Sequence, residues 1–177
     1  MTKARSGYSC VMMAFSLLLA GNAQAQPPVH PMCRAHDGRL VGARASVAIP
    51  DIALATTDRD TGAPLIYFNP YVILWLPQQL REWIYAHECA HHVLDHLRYG
   101  FVTAEQEIEA DCWATRELTA QGVLTPTDID LMEHAIARLL PGHWMHMPGR
   151  FRAIELQKCV HYPAGTVLFE PCLQYQR

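Results

Sequence analysis

The chain has 177 residues, a formal net charge of −3, 50% hydrophobic and 18% charged residues, ten histidines and six cysteines. Ordinary hydrophobic content with a low net charge argues against an intrinsically disordered chain and suits one soluble globular domain. The mild acidity offers no electrostatic footprint for nucleic acid, and Gly and Pro without a period argue against a collagen-like or coiled-coil filament.

Residues 1–25 read as a secretory signal peptide. Lys3 and Arg5 form a positive start, residues 11–20 form a short apolar core, and Ala23-Gln24-Ala25 is a small-x-small cleavage site. The apolar run is too short to span roughly 30 Å of hydrocarbon as a helix, and no later run is longer, so no membrane span is expected. Cleavage would remove Cys10 and leave Cys33, Cys89, Cys112, Cys159 and Cys172. An exported protein, periplasmic or secreted, meets an oxidising compartment, so disulfides are expected. Cys159–Cys172 closes a short loop and is the preferred pair, with Cys89–Cys112 as a second.

Residues 26–36 read as an extended arm and 37–177 as one domain. One or two short strands are expected within 40–54, which Pro50 interrupts. The polar run 57–62 reads as a turn, and 64–68 as a strand stopped by Asn69-Pro70. Four helices follow. The first, about 77–96, carries Leu80, Trp83, Ile84, Ala90 and Leu94 at helical spacing, with Pro77 at its first position. The second, about 103–121, opens on a capping box of Thr103 and Gln106 and stops at Gly122. The third covers 125–140 and the fourth about 148–159. These elements predict a helix-rich α+β domain with a small sheet, in which the first helix packs beside the second.

The first helix contains His87-Glu88-Cys89-Ala90-His91, an H-E-x-x-H sequence. Residues four apart stand on one helix face, so two imidazoles can share one Zn²⁺. Glu88 points beside that position, where it can act as the general base towards water. The pattern alone is short enough to arise by accident, as a solvated His/Glu face. A catalytic zinc site also needs a third protein ligand. Leu94 and Leu97 occupy the positions where a downstream G-x-x-H ligand would require Gly and His. The second helix instead offers Glu107 and, four residues on, Asp111. Glu107 can bind the metal while Asp111 accepts the second N–H of a ligand histidine. On its own, the run Glu105, Glu107 and Glu109 would be an acidic first turn favoured by the helix dipole.

His87-Glu88-x-x-His91 followed by Glu107-x-x-Ala110-Asp111 resembles the gluzincin zinc metallopeptidases, in particular their M48-like group. The resemblance covers roughly residues 66–159. It implies a zincin-like fold, zinc-dependent hydrolysis of peptide or protein substrates, and an edge strand, here 64–68, that aligns substrate. His146-Met147-Pro148 with Arg152 resembles a late His-Pro…Arg element of that group, interrupted by Met147.

Other histidines fit less directly. On a continuous helix His92 lies about 140° from His87, and His96 lies five residues beyond His91, so neither joins the ligand face. Cys89 faces away from it. An oxyanion donor is also required, and His146 is the chosen candidate, with Tyr162 as an alternative. The residues leave three readings open: a zinc metallopeptidase, a catalytically inactive zincin-like metal-binding or interaction module of the cell envelope, and a metal-free helical protein.

Overall fold

A computed structural model describes residues 33–49, 51–137 and 156–161. Three short strands, β1 (Gly42–Ala45), β2 (Ala53–Thr57) and β3 (Pro64–Phe68), form a mixed sheet in the order β1-β3-β2. β2 and β3 are an antiparallel hairpin, and β1 runs parallel to β3. The hairpin turn is closed by Asp58. Its Oδ1 accepts the backbone N–H groups of Asp60 and Thr61 and the Thr61 hydroxyl, and Gly62 takes φ 66°, a conformation open to glycine at little cost. The Thr61 hydroxyl, with the turn's N–H groups, holds the Asp58 carboxyl below its ordinary pKa.

Burial alternates along the hairpin. Ala53 opposes Phe68 and Ala55 opposes Ile66, and all four are buried, while Leu54 and its partner Tyr67 are half-buried on the other face. The strand at 64–68 is central rather than an edge. β1 occupies one of its hydrogen-bonding sides and β2 the other, so the edge next to the histidine helix is β2.

Asn69 joins the sheet to the helices. Its N–H donates to the Ile52 carbonyl, and its side chain accepts the Tyr71 N–H, capping the one-turn helix α1 (Pro70–Ile73). Asn69-Pro70, expected to stop the strand, thus also starts a helix, as an N-cap Asn followed by Pro does.

α2 (Gln78–Val93) is shorter than the expected 77–96. Pro77 is its N-cap, not its first helical residue. At the other end Leu94 caps it and Asp95 adopts φ 59°, a left-handed conformation that Asp tolerates better than most residues. A 3₁₀ turn, His96–Tyr99, follows and ends at Gly100. α3 (Ala104–Ala120) matches its expected span, with the Thr103/Gln106 capping box formed and Gly122 beyond its end. α4 (Pro126–Ala137) starts on reciprocal bonds between Thr125 and Asp128; its expected continuation, 138–140, lies outside the described residues. α5 (Leu156–His161) overlaps the expected fourth helix, of which 148–155 lie outside the described residues.

α2 packs on β2, β3 and α3, and α3 packs in turn on α5. Fully buried Ala86, Ala110 and Ala114 let α2 and α3 approach closely. Ile52, Phe68, Trp83, Ile84, Leu118, Ile129, Ile136 and Leu156 fill the space between sheet and helices, each large side chain contributing about 1.5–3 kcal/mol of transfer free energy. The Trp83 indole N–H is satisfied by the Thr115 hydroxyl at 2.9 Å.

The disulfides are Cys33–Cys89 and Cys112–Cys159, with Cα–Cα distances of 5.8 and 4.8 Å. Neither expected pair forms. Cys89 faces away from α3 into a cluster of Cys33, Ala35, Val41, Ile66 and Tyr85. Cys112 is taken by α5, which lies on α3, and Cys172 is outside the described residues. Loop length guided the expectation, whereas helix orientation decides the pairing. Residues 33–36, the last part of the segment read as an arm, are tied to α2 by Cys33 and by the bond from His36 N–H to His92 O, 2.9 Å. Among the described residues, no helix is long and apolar enough to cross a membrane.

Candidate metal centre

His87 and His91 stand one turn apart on α2, facing α3. Their Nε2 atoms are 3.0 Å apart. Glu107 enters from the first turn of α3, with Oε2 3.3 Å from His87 Nε2 and Oε1 3.6 Å from His91 Nε2. The three side chains are buried, none more than 2% exposed, and their donor atoms lie within 4.8 Å of one another. The position is built by helix geometry: i,i+4 spacing brings the rings edge to face with centroids 4.7 Å apart, and the alanines of the α2–α3 contact bring the carboxylate within reach.

Asp111, one turn beyond Glu107, meets His87 from behind. Its Oδ1 is 2.8 Å from His87 Nδ1. A carboxylate only accepts, so the ring proton sits on Nδ1 and the Nε2 lone pair points at Glu107. Two ring nitrogens and a carboxylate that converge in this way need a proton or a metal ion between them. An ion about 2.0–2.2 Å from each donor, in tetrahedral geometry, would set the donors roughly 3.3–3.5 Å apart. His87 Nε2 lies 3.0 Å from His91 Nε2 and 3.3 Å from Glu107 Oε2, near that spacing, and the other carboxylate oxygen, Oε1, lies 3.6 Å from His91 Nε2. The donor set therefore fits a metal ion.

Glu88 turns from the ligand face towards the sheet. Its Oε2 accepts the backbone N–H of Ala55 in β2 at 2.7 Å. One turn on, His92 bonds to β3 in the opposite sense, its Nε2 donating to the Leu65 carbonyl at 3.1 Å. Burial pushes the His92 pKa down, against the pull of that carbonyl. These two bonds dock α2 on the sheet and place the Glu88 carboxylate beside the edge strand.

His96 is the residue that helical spacing undervalued. It is buried, its Nδ1 is 3.1 Å from His91 Nδ1, and its Nε2 is 3.3 Å from Glu109 Oε2. A continuous helix would have carried it away from His91; the left-handed turn at Asp95 brings it back onto the far side of that ring. Burial pushes its pKa below the ordinary histidine value, with Glu109 pulling the other way. Asp95 beside His96, and Glu109 between Glu107 and Asp111, were the signals in the sequence. His146, Tyr162 and Arg152 lie outside the described residues.

Comparison with known proteins brings no matching family model, no matching curated protein and no matching solved structure.

Proposed function

We propose that the protein is an exported zinc-dependent peptidase. His87, His91 and Glu107 would hold the ion, and the observation that carries the reading is their convergence next to a Glu88 carboxylate pinned to the edge strand. A zinc ion there would polarise a peptide carbonyl and lower the pKa of water towards about 7. Glu88 then serves as general base and returns the proton to the leaving amine, with the Ala55 N–H holding its Oε2. Asp111 keeps His87 in the tautomer that offers Nε2.

β2 is the sheet edge nearest the site. Ile52 and Asp58 bond across to Asn69 and Ala63, so the backbone of the intervening odd positions, Ala53, Ala55 and Thr57, faces away from β3. Of these, Ala53 and Ala55 are buried and the Ala55 N–H is held by Glu88, so it is the exposed Thr57 end of β2 that is open to main-chain pairing with an extended peptide. The two disulfides support export to an oxidising compartment, periplasmic or extracellular.

The test is Glu88→Gln. The variant should keep one zinc per chain and lose cleavage of a peptide library by about 10²–10⁴-fold, the usual worth of a general base. Undiminished cleavage would overturn the mechanism. One zinc per chain with no cleavage by the wild type would make the protein a metal-binding module instead.

A further inference from the structure

The two histidines that face Glu107 are supported differently from behind. Asp111 reaches His87 directly. Behind His91 lies a second histidine, His96, and behind that ring lies Glu109, a carboxylate whose side chain is 60% exposed. Glu107, Glu109 and Asp111 alternate along one stretch of α3, so a single segment offers one carboxylate to the metal position and one to the support of each histidine.

We propose that His96 and Glu109 form a relay that fixes the tautomer of His91 and so presents its Nε2 lone pair to the metal. The inference rests on the metal-binding reading above and adds two positioning residues to it.

The direction of the relay follows from its exposed end. A carboxylate oxygen accepts, so the His96 nitrogen facing Glu109, Nε2, carries the hydrogen. A neutral imidazole has one N–H, so His96 Nδ1 is left as an acceptor. The neighbouring atom, 3.1 Å away, is His91 Nδ1, which must therefore donate. With its proton on Nδ1, His91 turns a lone pair on Nε2 towards Glu107 and His87. The opposite arrangement would face a His96 lone pair against the Glu109 carboxylate and place a proton on His91 Nε2, where a metal must bind. The turn at Asp95 makes the relay possible, because only a chain that leaves the helix there can return His96 to the rear of His91.

The test measures zinc affinity by competition with a chromogenic chelator, and the His91 tautomer by nitrogen–proton correlation NMR of the ring in metal-free protein. His96→Leu should weaken zinc binding by about 10–100-fold, the usual cost of losing a partner behind a ligand. His96→Gln, whose amide oxygen can accept the His91 N–H, should recover most of that loss. Glu109→Gln should weaken binding by about twofold to fivefold, as befits an exposed charge, and should mix the His91 tautomers. Glu105→Gln removes a charge from the same helix turn as a control and should leave both readouts unchanged. Glu109 is exposed, so its variant tests the relay even if His96→Leu misfolds. Wild-type zinc affinity with an unchanged His91 tautomer in Glu109→Gln and His96→Leu overturns the relay alone. A wild-type protein that binds no zinc overturns the relay together with the proposed function.

Discussion

Helix α2 has two buried faces that do opposite jobs. The face towards α3 carries His87 and His91, and its partners, Glu107 and Asp111, are polar. The face turned away carries Tyr85 and Cys89, and its partners are Cys33, Ala35, Val41 and Ile66. The first buries groups that cost free energy to desolvate and recover it through one another. The second buries apolar surface and is stapled by a disulfide. The difference separates function from stability within sixteen residues: the polar face is costly to keep, and the apolar face and its bridge help to hold the helix while it is kept.

The most drastic way to break this division is to remove a ligand. If the proposed site holds zinc, adding zinc should raise the thermal midpoint of the wild type, and Glu107→Ala should abolish that rise while the metal-free variant still folds. A zinc-induced rise that survives in the variant would place the ion elsewhere. Next in size is the staple. Cys33→Ser with Cys89→Ser should lower stability by about 2–4 kcal/mol, read by denaturant unfolding, yet leave zinc stoichiometry at the wild-type level. Loss of zinc along with the disulfide would show that the two faces are coupled. Asp111→Asn sharpens the comparison from the polar side. It should weaken zinc binding by about 10–100-fold with an unchanged circular dichroism spectrum. The smallest effect is expected far from both faces, at Asp128 of α4. The Thr125 hydroxyl, with its backbone N–H, holds this carboxyl below 3.8. A carboxyl with a depressed pKa in the folded state stabilises the fold above its unfolded value, and that contribution is lost as pH falls through the folded one. Asp128→Ala should therefore lower the thermal midpoint slightly at pH 7, and the gap from wild type should close as pH drops below 3.8. A gap that stays constant down to the acid limit would remove the carboxylate from the account.

Local geometry accounts for what could be read without a fold. The pairing of His87 and His91 on one face of α2, the partnership of Glu107 and Asp111 on one face of α3, and the capping box at Thr103 all depend on residues three or four apart, and helix geometry sets those relations wherever the helix lies. The strand at 64–68 was legible as a strand, but its place in the sheet was not, because neighbours come from distant pairing. The same limit applies to Glu88. Its position in the motif makes it the candidate base, while its hydrogen bond to Ala55 depends on how α2 lies across β2.

The amino-acid sequence by itself thus determined the main helices, the α+β class and the side chains that converge on a metal position, since these follow from spacing within two helices. Tertiary structure decided the rest. It paired Cys33 with Cys89 and Cys112 with Cys159, centred β3, and returned His96 to His91 through one left-handed residue at Asp95. The physical reason is common to all of these. Contacts between segments tens of residues apart are set by which faces pack, and a single break in a helix redirects every side chain that follows it.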